Sequence, residues 1–185
     1  ANIPWHANRA LITTVNVGAG VTKLTTNAFC SCTNLETVNF AENSRLQMLG
    51  GSAFKNCTSL KSITLPEGLT AISGNAFKYC RALRNVYLPD TMSVIDNLAF
   101  TGLSGITFSV AKDSYAKRWV ESHGFAYTER EPAVVASGVC GENLTWSLTS
   151  DGVLTLDGTG SMTTYYGEAN IPWHANRALI TTVNV

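Results

Sequence analysis

The chain has 185 residues, of which 45% are hydrophobic and 14% charged, and its 13 basic residues balance its 13 acidic ones. Ample hydrophobic residues with few charges argue against an intrinsically disordered chain, and the zero net charge argues against a nucleic-acid-binding protein. No apolar run reaches the roughly 18 to 20 residues of a membrane-spanning helix, so we expect no membrane span. The sequence starts without Met and shows no signal peptide, so we expect a mature or excised fragment.

An Ala-Phe dipeptide recurs four times in the first hundred residues, at spacings of 25, 23 and 23 residues. In the first three copies a Cys follows the Phe, a Leu follows the Cys, and an apolar-x-apolar triplet comes next. Each triplet is typical of a short strand whose outer residues face the core. Stacked repeats of this length, within the range of about 20 to 29 residues of leucine-rich repeats, predict a solenoid. The triplets are Val15-Asn16-Val17, Val38-Asn39-Phe40, Ile63-Thr64-Leu65, Val86-Tyr87-Leu88 and Ile106-Thr107-Phe108.

The repeat resembles the BspA-like (treponemal-type) leucine-rich-repeat family of bacterial surface proteins over about residues 11 to 127. The sister segments SAFKNCTSLKSITLPEGLTAISGNAF and NAFKYCRALRNVYLPDTMSVIDNLAF carry the resemblance. It implies an α/β repeat fold, a leucine-rich-repeat solenoid of about four to five coils. One coil departs from the pattern, because FAENSRLQMLGG replaces the LPEGL type of turn and adds two residues. We expect that coil to bulge.

The segment after the last triplet predicts a helix over about residues 114–123 that covers the end of the solenoid. Asp113 or Ser114 can cap its start, and Gly124 suits the position just after its end. Trp119 shares one face of this helix with other apolar residues, so we expect it to pack over the last coil. The sequence therefore predicts a solenoid with a capping helix over residues 1–127 and a linker over residues 128–137.

A second, longer repeat joins the two ends of the chain, because residues 169–185 are identical to residues 1–17. This identity has two explanations: either the parent protein contains tandem units, or the duplication was engineered. We favour tandem units. Residues 144–149 and 153–156 alternate around Ser150-Asp151-Gly152, which predicts a β-hairpin. The segments CGENLTWSL, GTGSM and IPW resemble the region that precedes the coils in BspA-like proteins. We therefore interpret residues 138–185 as an all-β hairpin module that leads into a next unit.

This arrangement leaves half of an interface at each end of the chain. We hypothesise that the C-terminal module docks at the N-terminal end of the next copy, or folds back onto its own chain. The residues expected at this unit junction are Trp5, Trp146, Trp173, Val183 and Val185. On this hypothesis the alternative function is that of a structural subunit, which assembles head-to-tail into a fibre or a surface layer.

No pattern in the sequence indicates catalysis, a metal site or a cofactor. There is no Cys-x-x-Cys pair, and no nucleophile elbow, phosphate-binding loop or dinucleotide fingerprint. The repeated Cys32, Cys57 and Cys80 are interpreted as buried, reduced thiols, while a Cys30–Cys140 disulfide stays open. We expect a non-enzymatic protein without catalytic residues, metal ligands or cofactors.

The strand triplets also predict a polar, uncharged strip on the concave face of the solenoid. Its amides, hydroxyls and one tyrosine suit a glycan or a protein loop, although a merely solvated surface has the same composition. A set of basic residues at matching repeat positions is a second candidate, for an anionic partner: Lys55, Lys61, Lys78, Arg81 and Arg84. The strip consists of Asn16, Thr37, Asn39, Ser62, Thr64, Asn85, Tyr87 and Thr107.

These observations predict an adhesion or recognition module of a secreted or bacterial cell-surface protein. The expected partner is a host or matrix protein or a glycan, bound on a rigid concave surface, with head-to-tail self-association as a further possibility. Nucleic acid is not an expected partner, given the balanced charge.

Overall fold

The computed structural model describes residues 3–185, so the first two residues of the repeated segment, Ala1 and Asn2, lie outside the described residues. The chain divides into two compact units, one ending at Arg130 and one beginning at Glu131. We call them the solenoid unit and the hairpin unit.

The solenoid unit winds through about five coils, each with a front strand, and the first four coils also have a two-residue back strand. All neighbouring strands run parallel, as expected for coils that follow one another in the same direction. The solenoid fold expected from the repeat is thereby confirmed, and the apolar return segments form strands as well. The front strands are β1 (Thr14–Val17), β3 (Thr37–Phe40), β5 (Ser62–Thr64), β7 (Asn85–Tyr87), β9 (Thr107–Ala111) and β10 (Ala126–Arg130), and the back strands are β2 (Lys23–Leu24), β4 (Met48–Leu49), β6 (Ala71–Ile72) and β8 (Val94–Ile95).

The repeated phenylalanines form a stack of rings along the interior of the solenoid. Phe29, Phe54, Phe77 and Phe100 follow one another at centroid distances of 5.4, 5.4 and 5.0 Å. The repeated cysteines are buried beside them, and the thiol of Cys80 donates to the carbonyl of Phe54 at 2.9 Å. The core is therefore a column in which each coil contacts mainly its two neighbours.

The capping helix α1 (Tyr115–Ser122) begins and ends where its sequence signals predict. The Ser114 hydroxyl accepts a hydrogen bond from the Lys117 backbone N–H at 3.0 Å, as an N-cap does. Gly124 has a φ of 67°, the left-handed conformation that favours glycine after a helix. Trp119 is 6% exposed and lies 5.9 Å from the Phe100 ring, so the helix closes the apolar column.

The structure differs from the linker expected at residues 128–137. The chain leaves α1 into β10, which pairs in parallel with β9, and the Lys112 N–H donates to the Arg130 carbonyl at 2.9 Å. The next strand already begins at Val134. The open edge of β9 explains the difference, because a strand edge gains backbone hydrogen bonds from one more strand, whatever its side-chain composition.

The hairpin unit contains two long antiparallel strands, β11 (Val134–Thr149) and β12 (Val153–Met162), which extend well beyond the predicted hairpin. Gly152 in the turn has a φ of 86°, which requires glycine. A third strand, β13 (Thr182–Asn184), pairs in parallel with β12. Short 3-10 helices occupy Glu168–Asn170 and His174–Leu179, and the solenoid unit begins with another at His6–Leu11. The small core consists of Cys140, Trp146, Leu148 and Leu154.

Candidate recognition surface

The exposed side of the front strands, which we call the front face, carries the polar strip predicted from the triplets. Alternation along β1 buries Val15 and Val17 and exposes the residues between them. The Asn39 side-chain amide donates to the Asn16 side-chain oxygen at 2.8 Å, so asparagines of successive coils are joined across the strip. Of the predicted residues, Tyr87 and Thr107 are half-buried and the other six are exposed.

The front face is interrupted between β3 and β5. Within residues 3–185, β1 pairs with β3 and β5 joins a separate sheet with β7, β9 and β10, whereas the back strands form one continuous sheet. The starts of β3 and β4 lie eleven residues apart, and the corresponding starts in the other three coils lie nine apart. The two additional residues lengthen the turn after β3, so the predicted irregular coil lies beside the break in the front sheet.

A hollow of about 520 Å³ occupies this break. Its volume falls within the range of about 300–1,000 Å³ of small-molecule sites. Val38 and Phe40, which are half-buried beside the break, contribute its apolar surface. Three carboxylates surround it and give it an acidic lining suited to hydroxyl and amino groups: Glu36, Glu42 and Glu67.

Tyr87, the only aromatic residue of the predicted strip, is held from two sides. Its hydroxyl donates to a carboxylate oxygen of Glu67 at 2.8 Å. The guanidinium of Arg130 lies over its ring, 3.9 Å from the centroid, and forms an ion pair of 2.6 Å with Asp90. Burial and the hydrogen bond to Glu67 raise the pKa of Tyr87. The ring is therefore a fixed, neutral surface rather than a mobile side chain.

A second, smaller hollow of about 200 Å³ lies around Tyr87. Ser62 and Thr64 line both hollows, which therefore adjoin on the two sides of β5. Seven of the eight predicted residues thus line these two hollows. Asn16, which is hydrogen-bonded to Asn39, lines an apolar hollow beside Trp5. The first hollow adds Thr37 and Asn39, and the second adds Asn85, Tyr87 and Thr107.

Sequence reasoning missed the carboxylates of the first hollow and missed Arg130. Glu42 and Glu67 lie in turns that follow front strands, and the sequence shows those turns only as chain reversals. Glu36 immediately precedes β3. Arg130 falls in the segment that the sequence predicts as a linker, but in the structure it is the last, half-buried residue of β10. Phe125 and Tyr127 alternate around exposed Ala126, which is a short period-2 signal for a strand, but this alternation stops before Arg130.

The other predicted groups are placed as follows. Lys78 and Arg81 of the basic set lie over the Tyr79 ring, 5.0 and 5.9 Å from its centroid. Trp5 stacks on Phe29 in the solenoid unit, at 5.6 Å. Among the junction residues of the hairpin unit, the Trp146 and Trp173 rings meet at 5.8 Å, Val183 lies opposite Leu154, and Val185 is fully exposed.

All five cysteines are free thiols in the structure. Burial raises the pKa of Cys32, and a hydrogen bond with Cys80 together with burial raises that of Cys57. Among residues 3–185, no group of three or more His, Cys, Asp or Glu side chains is arranged to hold a metal ion. No helix in this range is long and apolar enough to cross a membrane.

Comparison with known proteins identifies the repeat. A family model described as the BspA type leucine-rich repeat region, in six copies, matches residues 6–125. A crystal structure of a leucine-rich repeat protein from Bacteroides ovatus ATCC 8483 is similar in fold, with a TM-score of 0.52 and 24% identity over 63% of this chain and 30% of that one.

A leucine-rich cell surface protein from Faecalibacterium prausnitzii A2-165 shares 24% identity over 78% of this chain and 45% of that one, at a TM-score of 0.38. The chain therefore spans less than half the length of either solved relative. No curated protein matches it.

Proposed function

Because the chain belongs to the BspA-type leucine-rich repeat family, we propose that it is a non-enzymatic recognition module whose front face binds a glycan or a protein loop. We place it in a secreted or cell-surface bacterial protein, where its partner is a host or matrix protein or glycan. The observation that carries this proposal is the pair of adjoining hollows at the interruption of the front sheet.

The chemistry of these hollows favours a hydroxyl-rich or amine-bearing ligand. Carboxylates accept hydrogen bonds from both groups, and the neighbouring amide and hydroxyl side chains can donate as well as accept. Tyr87 adds an apolar ring against which a ligand can pack, next to its polar hydroxyl. An anionic ligand is disfavoured in the larger hollow, because Glu36, Glu42 and Glu67 would repel it.

Binding of the full chain to arrays of glycans and to immobilised matrix proteins tests this proposal. For a ligand found there, Asn85→Ala and Glu42→Gln are expected to weaken binding at least about tenfold, equivalent to about 1.4 kcal/mol. The matched control is Asn97→Ala, which removes an exposed asparagine from the turn after β8 and is expected to leave affinity unchanged. Unchanged affinity in both front-face variants, or an equal loss in Asn97→Ala, would contradict the proposed site.

A second candidate function is head-to-tail assembly into a fibre or a surface layer. It is favoured by the behaviour of the repeated segment, whose copy at the C-terminal end supplies an additional strand to the hairpin. Light scattering over a wide concentration range, with negative-stain imaging of the same samples, tests this candidate. Polymers that grow with concentration would support it, whereas a monomer at every concentration would count against it.

A further inference from the structure

One sequence of seventeen residues occurs twice in the chain and lies in two different surroundings. In the solenoid unit it supplies β1, whose partner is the following front strand. In the hairpin unit it supplies β13, whose partner is β12. Thr14, Val15 and Asn16 correspond to Thr182, Val183 and Asn184. The two copies therefore show two sets of contacts that the same residues are able to make.

In the solenoid unit the segment is covered by the coil that follows it. The Thr37 and Ala41 backbone N–H groups donate to the carbonyls of Thr13 and Val17 at 3.2 and 3.0 Å. Val15 and Val17 are 8% and 5% exposed. Trp5 stacks on Phe29, the first ring of the phenylalanine column.

In the hairpin unit the segment contacts residues that come before it in the chain, in β11 and β12. The Thr181 and Thr182 backbone N–H groups both donate to the Gly152 carbonyl, at 2.9 and 3.3 Å. Trp173 packs against Trp146. On the other side of the segment Val183 is 55% exposed.

The two sets of contacts use opposite edges of the strand. In a parallel pair the backbone groups of successive residues point alternately to the two neighbours. β3 takes the carbonyls of Thr13 and Val17, so the N–H groups of Thr14 and Asn16 point away from it. In the hairpin unit the N–H groups of the corresponding residues, Thr182 and Asn184, point toward β12. One copy of the segment is therefore able to hold both partners at once.

The step from β12 to β13 also has the hydrogen-bond pattern of a coil-to-coil step. Glu36 and Thr37 donate together to the Thr13 carbonyl, and Thr181 and Thr182 donate in the same way to that of Gly152. The same pattern recurs between later coils, where Arg84 and Asn85 donate to the Lys61 carbonyl. β12 thus occupies the place of the front strand that would come before β1.

We propose that β12 of one copy of this chain docks on the outer edge of β1 of a second copy, so that β12, β1 and β3 form one continuous parallel ladder. The second copy's β1 replaces the identical β13, which makes the contact an exchange of equivalent strands. This inference rests on head-to-tail assembly, the second candidate function, and names the surfaces that form it.

Two features of the solenoid end support this partner. An apolar hollow of about 420 Å³ lies there, between Trp5, Val15 and Val17. With Trp5 in the place of Trp173, the Trp146 ring would reach this end and extend the row of aromatic rings by one member. The exchange also replaces β13, a strand at a sheet edge, by β1, which already carries β3 on its other side.

The alternating backbone groups allow each partner strand to be blocked separately. Asn16→Pro removes an N–H that faces away from β3, so it blocks docking on β12. It leaves the backbone hydrogen bonds between β1 and β3 in place and removes the side-chain bond from Asn39. Asn184→Pro makes the matched change in β13 and frees the β12 edge. The full-length chain, both variants and the double variant are compared by analytical ultracentrifugation, with circular dichroism as the check on folding.

Asn184→Pro is expected to associate at concentrations at least about tenfold lower than the unmodified chain, and both chains with Asn16→Pro are expected to stay monomeric. A synthetic peptide of residues 1–17 is expected to dissociate the Asn184→Pro oligomers, because it competes for β12. If Asn16→Pro disturbs folding, the outcome of this peptide competition decides instead.

Association that persists in the double variant and in the presence of the peptide would overturn the proposed contact and leave assembly by another surface. A monomer in every chain, including Asn184→Pro, would overturn both the contact and the assembly candidate.

Discussion

Replacing Phe77 by Ala tests whether the stacked rings stabilise the solenoid as a column. Phe77 is fully buried, and its ring lies 5.4 Å from Phe54 and 5.0 Å from Phe100. The backbone on both sides resists collapse, because the Phe54 N–H donates to the Ala76 carbonyl and the Phe77 N–H donates to that of Ala99, each at 2.8 Å. Phe→Ala changes in cores cost about 3–5 kcal/mol, most where the cavity stays open. We expect a loss of about 5 kcal/mol in the free energy of unfolding.

Phe40→Ala is the matched control, because Phe40 is half-buried at the break in the front sheet and its loss is expected to cost only about 1–2 kcal/mol. Urea unfolding followed by circular dichroism gives the free energies. Labelling of the buried Cys57 and Cys80 thiols assigns the loss to the solenoid unit. A loss below about 2 kcal/mol for Phe77→Ala, or one no larger than that of Phe40→Ala, would refute the reasoning.

Three further outcomes are expected. Burial and the Glu67 hydrogen bond raise the pKa of Tyr87 in the folded chain; its contribution to stability is therefore constant below the ordinary tyrosine pKa of about 10 and is lost as the pH rises above it. In urea titrations Tyr87→Phe should reduce that alkaline loss, and an unchanged loss would contradict the role given to Tyr87. Of the five thiols only Cys30 is not fully buried, so mass spectrometry should find it labelled first in the folded chain, and equal labelling rates would count against the buried column. Ser114→Ala and Gly124→Ala should each lower the free energy of unfolding by about 1 kcal/mol, because one removes the N-cap hydroxyl and the other places a Cβ at a φ of 67°, and no change in either would argue against the helix ends as described.

The solenoid, its register and its cap followed from the sequence because each rests on short-range signals. The period of the Ala-Phe dipeptides defines the coils, and alternation within each triplet defines the buried side of a strand. Ser114 and Gly124 mark the helix because caps are local. These signals do not depend on which segments meet later in space.

The functional surface was less predictable because it depends on contacts between distant segments. Arg130 reaches Asp90 and the Tyr87 ring across forty residues of sequence, and nothing near it in the chain indicates that partner. The lengthened turn was visible as two additional residues, and a bulge was expected from it. That it coincides with a break in the front sheet, with three carboxylates around a hollow, required the structure.

Amide hydrogen exchange of Ser62 and Thr64 tests the central claim, that the front sheet is open at this point, most directly. In β5 the backbone groups of Ile63 and Leu65 point toward β7. The N–H groups of Ser62 and Thr64 therefore point to the opposite side, toward β3. We expect them to exchange much faster than the N–H groups of Asn85 and Tyr87. In a variant that lacks Asn43 and Ser44, which restores the turn length of the other coils, we expect them to become protected as β3 and β5 pair. Protection of Ser62 and Thr64 in the unmodified chain equal to that of Asn85 and Tyr87 would contradict an open front sheet and the recognition surface built on it.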